Sequence, residues 1–89
     1  MSAFQWEEAR YFLAVARAGQ IKRAATQLGI SAITLSRHLA HLQSKAQAQL
    51  FYRHPQGVRL TDDGVRLMEH LERIEAEFEA AGELILGSA

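Results

Sequence analysis

The sequence predicts a mainly α-helical fold in which three helices and a two-stranded hairpin precede one long helix. Three observations carry this expectation. Apolar residues recur at helical spacing in four segments, while the only Pro, Pro55, and Gly57 fall together between two short β-prone runs. The charge is also divided along the chain. Residues 1–60 hold eight Lys and Arg against two Glu, a net +6, and residues 61–89 hold two Arg against eight acids, a net −6. A basic body joined to an acidic tail points to a polyanionic partner for the body. At 89 residues the chain supports one small core and excludes a multidomain enzyme.

The first helix is predicted over 4–18, a stretch without Gly or Pro that sets Trp6, Ala9, Leu13 and Ala16 at helical spacing with Phe12 and Val15 beside them. Gly19 interrupts it. Ile21, Ala24, Ala25 and Leu28 then fall at i, i+3, i+4 and i+7, a short amphipathic helix for which Gly29 supplies a left-handed end. Ser31 is suited to cap a third helix, with Ile30 and Leu35 placed to pack across the turn. In that helix Leu35, Leu39, Leu42 and Ala46 form one stripe at about 100° per residue, which turns Ile33, Arg37, His41 and Ser44 outward.

Leu50 to Arg53 and Val58 to Leu60 are predicted as the paired strands, with residues 54–57 as the turn. Thr61 caps a last helix whose first turn holds Asp62 and Asp63, both favourable at the positive end of the helix dipole. Leu67, Leu71, Ile74, Phe78, Ala81 and Ile85 follow at intervals of 4, 3, 4, 3 and 4, a heptad seam suited to pairing two copies of the chain. Gly82 weakens this helix by about 1 kcal/mol, and Gly87 marks its end. The division expected is a first unit over 1–62 and a dimerisation helix over 63–89.

A short helix ending at Leu28-Gly29-Ile30, followed by one capped at Ser31, is a helix-turn-helix, the unit that sets its second helix in the DNA major groove. The hairpin makes it the winged variant, with Arg53, His54, Gln56 and Arg59 available to a DNA backbone or minor groove. The DNA-binding residues expected on this reading also include Lys22, Arg23, Ser31, Ala32, Ile33, Thr34, Ser36, Arg37 and His41. Arg37 suits a guanine edge or a phosphate, and Ile33 a thymine methyl or a partly buried turn. Thr34 and Ser36 suit phosphates or local helix carbonyls.

The run Arg10-Tyr11-Phe12-Leu13-Ala14-Val15-Ala16, then Ala24-Ala25, Leu28, Ser31, Leu35-Ser36-Arg37, Leu42, Leu50-Phe51, Arg53 and Val58-Arg59-Leu60-Thr61 with Gly64, resembles the N-terminal winged helix-turn-helix of LysR-type transcriptional regulators. The resemblance spans nearly the whole chain. It implies a DNA-binding domain of a dimeric regulator, with residues 65–86 as a linker helix pairing two subunits antiparallel. It also implies a following effector-binding domain for a small molecule, so that these 89 residues would be a fragment, and allows a tetramer in the intact protein. Ala32-Ile33 stand where the family commonly has Gln-Pro, Gln20 and Lys22 where it has Ser and Thr, and Gln47 where it has Gly. Those departures bear on the operator sequence and on the turn into the first strand.

Other chemistries find little footing. The chain has no Cys, no apolar run of the roughly 20 residues that cross a bilayer, and no basic and apolar leader at its start, so a cytoplasmic, membrane-free protein is expected. His38 and His41 lack a completing ligand set, and neither a catalytic triad order nor a phosphate-binding glycine loop occurs. No enzyme activity, metal or cofactor is expected. Two functions remain: a sequence-specific double-stranded DNA-binding domain of a dimeric regulator, and a helical interaction or dimerisation module with no nucleic-acid role.

Overall fold

The computed structural model describes residues 4–87; residues 1–3 and 88–89, the outer ends of the units expected over 1–62 and 63–89, lie outside the described residues. The order is α1 (Trp6–Ala18), α2 (Ile21–Leu28), α3 (Ala32–Lys45), β1 (Phe51–His54), β2 (Gly57–Leu60) and α4 (Asp62–Leu86). This is the winged helix-turn-helix with a long closing helix.

Local chemistry sets most boundaries. α1 starts two residues later than expected because Gln5 is extended and donates its N–H to Glu8 Oε1 at 2.9 Å, which holds the chain outside the helix. Gly19 and Gly29 end α1 and α2 in the left-handed conformation, at φ 74° and 73°. Ser31 Oγ accepts from Thr34 N at 3.1 Å, and Thr61 Oγ1 accepts from Gly64 N at 3.1 Å, so both expected caps are formed.

The strands lie one residue away from their expected starts. Leu50 stays out of the ladder because its N–H donates to Gln43 Oε1 at 2.8 Å, and the same Gln43 side chain donates to Ala48 O at 2.9 Å. Gln43 thereby braces the connection that contains Gln47. The register pairs Phe51 with Leu60 and His54 with Gly57, leaving Pro55-Gln56 as a two-residue turn. Gly57 takes φ 142°, open to glycine, and joins the second strand instead of the turn.

The core forms where α1, α2, α3 and the start of α4 converge. Phe12 and Leu13, Ala24 and Ala25, Leu35, Leu39 and Leu42, and Leu50 with Phe51 are buried together. Leu71 belongs to this cluster at 2% exposure, and Leu67 packs against it. This corrects the seam read from the sequence. The first turns of α4 lie against their own body, so Leu67 and Leu71 serve the core of one chain, while Ile74, Phe78, Ala81 and Ile85 remain exposed. Phe78 is 66% and Ile85 79% exposed, although the Phe78 ring stacks on Trp6 at a centroid distance of 6.0 Å.

Thr61 also donates its hydroxyl to Gln49 O and its N–H to Leu50 O at 3.1 Å, drawing the start of α4 against the entry to β1. A Cβ on Gly64 would lie 2.0 Å from Leu50 O, a backbone atom that cannot swing aside. Gly64→Ala is therefore expected to lower stability by at least about 1–3 kcal/mol. The urea midpoint measures it, and a midpoint equal to that of the parent would contradict the close approach.

Candidate nucleic-acid interface

Because Leu35, Leu39 and Leu42 are buried, the opposite side of α3 faces outward. Ile33 is 73% exposed, and Arg37 and His41 are exposed in line with it. Ala32, Thr34 and Ser36 are half-buried beside them. The Ser31 hydroxyl caps the helix and donates to Thr34 Oγ1 at 2.9 Å, so these two hydroxyls are first of all partners of each other. An apolar side chain this exposed on a folded surface has no packing role.

Lys22 and Arg23 are exposed on α2, where Arg23 Nη1 reaches Ala18 O at 3.5 Å. The hairpin presents Arg53, Gln56 and Arg59 to solvent, with His54 half-buried and its Nδ1 accepting from Gln56 N at 3.2 Å. The register pairs Arg53 with Val58 and Tyr52 with Arg59, so the two arginines emerge on opposite faces of the hairpin. Arg53 joins Lys22, Gln20 and His54 around a groove of about 300 Å³ between α2 and the hairpin, and Arg59 does not.

Two contacts and one close approach missed in the sequence set the hairpin in place. Val58 N donates to Gly19 O at 2.8 Å, Gln20 Nε2 reaches Gln56 O at 3.5 Å, and a Cβ on Gly57 would meet Gly19 O at 2.1 Å. The hairpin backbone thus rests on the turn between α1 and α2. Glycine at both 19 and 57 was the available signal, but nothing local pairs positions so far apart.

Four acids, Glu8, Asp63, Glu72 and Glu75, are held in ion pairs. Among the described residues the ion pairs are Arg17 with Glu72 and Glu75, Lys45 with Glu8, and Arg66 with Asp63; Lys22, Arg23, Arg37, Arg53 and Arg59 are in none of them. Arg17 donates to both oxygens of Glu75, at 2.7 and 3.2 Å, and to Glu72 Oε2 at 3.3 Å. The hydrogen bond with Glu75 raises the Arg17 pKa, and the same bond lowers that of Glu75.

A recess of about 480 Å³ between the first turn of α1 and α3 is lined by Gln5, Glu7, Glu8, Tyr11, His38, His41 and Lys45. Tyr11 and His38 meet with ring centroids 4.8 Å apart. Among the described residues no group of three or more His, Asp or Glu is arranged to hold a metal ion. Burial pushes the Glu8 carboxyl up, but the Lys45 ammonium at 2.8 Å, the Gln5 N–H and the charges of Lys45 and His41 outweigh it and hold the group below its ordinary value.

A two-helix turn with a cationic outer face and a basic wing defines the winged helix-turn-helix class of domain. Residues 6–65 match the family described as "Bacterial regulatory helix-turn-helix protein, lysR family". The chain belongs to that family. It is 45% identical over 65 residues to the HTH-type transcriptional regulator XapR of Escherichia coli (strain K12), covering 73% of this chain and 22% of that protein. It is 41% identical over 80 residues to the HTH-type transcriptional regulator BudR of Klebsiella aerogenes, covering 90% of this chain and 56% of that protein. The chain thus spans between about a fifth and about half of these relatives. Among solved structures, the crystal structure of the CbnR_DBD-DNA complex superposes with a TM-score of 0.81 at 29% identity, over 90% of this chain and 92% of that one. Among the described residues no helix is long and apolar enough to cross a membrane.

A carboxylate held below its unfolded pKa stabilises the fold above that unfolded value, and the contribution is lost as pH falls through the folded value. Glu8 is such a group. Between about pH 6 and 3 the stability of the parent is expected to fall more steeply than that of Glu8→Gln, in the carboxylate titration range. Urea unfolding at each pH checks this. Parallel curves would show that the Glu8 contact with Lys45 adds nothing.

Proposed function

We propose that the chain binds double-stranded DNA sequence-specifically as the DNA-binding domain of a dimeric transcription regulator, with no catalytic step and no cofactor. The observation that carries this reading is the outer face of α3, where Arg37 and His41 are exposed beside Ile33 and Arg37 joins none of the ion pairs among the described residues. A guanidinium and an apolar side chain on one helix face match a guanine edge and a thymine methyl in the major groove. Lys22 and Arg53, brought to one groove, suit a phosphate path beside it. Likeness to the CbnR_DBD-DNA complex supports DNA as the partner.

Residues 1–62 act as the DNA-binding unit and residues 63–89 as the dimerisation helix. Ile74, Phe78, Ala81 and Ile85 form the exposed strip available to a second copy. Two recognition helices related by a dyad favour a pseudo-palindromic site. The location is cytoplasmic. A small-molecule effector and a tetramer belong to a full-length regulator, and none of the described residues is assigned to either.

The experiment selects bound duplexes from a random DNA pool and compares the parent with Arg37→Ala. The substitution is expected to weaken the selected site by about 1–3 kcal/mol, with a smaller loss on random DNA. A pool that yields no preferred sequence, or unchanged affinity in the variant, would remove α3 from the groove.

A further inference from the structure

Three contacts follow one another along α4 where it leaves the body. Leu71 is sunk in the core, Glu72 and Glu75 receive Arg17 of α1, and Phe78 stacks on Trp6 at the other end of α1. Beyond Phe78 the side chains up to Leu86 are exposed, apart from the half-buried Gly82. The ion pairs thus occupy the junction between the DNA-binding body and the strip that would meet a second copy.

We infer that the clamp of Arg17 on Glu72 and Glu75 fixes the angle at which α4 leaves the body, and through it the half-site separation that the dimer accepts. Arg17 is then a positioning residue for operator spacing, and the inference rests on the dimeric DNA-binding reading above.

A half-exposed ion pair adds little to folding, and the core converging on Leu71 holds α4 without it. Direction is what the pair supplies. Leu67, Met68 and Leu71 seat the first turns of the helix on the core, and at its exit a guanidinium forked onto one carboxylate and bonded to a second, three residues away, adds resistance to tilt and roll together. From Glu75 to Leu86 the helix runs about 17 Å at about 1.5 Å per residue, so about 10° of play at the clamp displaces its far end by about 3 Å. That is close to one base step, about 3.4 Å along a strand. Two protomers double the error. Loss of the clamp therefore blurs spacing while leaving each recognition helix intact.

The test uses the parent chain, Arg17→Ala, and the double variant Glu72→Gln with Glu75→Gln. Sedimentation gives the state of each. The DNA probes are duplexes carrying two inverted copies of the half-site selected from the random pool, with their separation changed one base pair at a time, and a duplex with one half-site. All three proteins are expected to be dimers with equal affinity for the single half-site. The parent should prefer its best separation over one about half a turn away by roughly 100-fold, and both variants by less than about tenfold, because simultaneous engagement depends on geometry.

A profile in either variant as sharp as that of the parent overturns the inference and leaves the dimeric reading standing. If Arg17→Ala alone weakens the single half-site, Arg17 is a phosphate contact and the inference fails. Variants that become monomeric would make the clamp a dimer contact and also overturn it. A parent that is monomeric on DNA overturns the dimeric reading and the inference with it.

Discussion

Burial of Leu35 and Leu39 on one side of α3 constrains everything that the other side can do. These residues meet Phe12 and Leu13 of α1, the small pair Ala24 and Ala25 of α2, and Leu71 of α4 in one cluster. Each buried large side chain contributes about 1.5–3 kcal/mol relative to exposure. Rotating α3 by two residues, about 200°, would trade that burial for a buried charge at Arg37. The outward direction of Ile33, Arg37 and His41 is therefore a consequence of the core.

The wing depends on the same body by a different means. Two strands alone are marginally stable in water, and here they are anchored by Phe51 in the core, with Val58 and Leu60 packed against it, and by the backbone bond from Val58 N to Gly19 O. Gly57 admits the approach to Gly19 O, and Gly64 that to Leu50 O, because neither has a side chain to collide with the facing carbonyl. Arg53 is thus delivered beside Lys22 by the turn between α1 and α2 and by the hairpin register together.

What the sequence made legible was local. The caps at Ser31 and Thr61, the glycine ends of α1 and α2, and the buried stripe of α3 each follow from residues within one or two turns, and all are formed. The outward set on α3 was readable for the same reason. Contacts between distant positions were not. The strand shift came from Gln43 taking the Leu50 N–H, and the shortened seam came from Leu71 finding partners in its own body. A heptad spacing reports which residues share a face of a helix, but not whether a second chain or the first one covers that face. The partners of Arg17 lie 55 and 58 residues away, beyond any local spacing.

The central claim is that the face of α3 opposite the core, flanked by the wing, is the surface that meets DNA. Amide chemical-shift mapping of the chain during titration with its selected duplex tests it most directly. The account predicts that shifts concentrate at the start of α2, along residues 31–41, and on residues 53–57, while the exposed end of α4 changes little between free and bound dimer. Shifts confined to α4, with α3 and the hairpin unchanged, would contradict it.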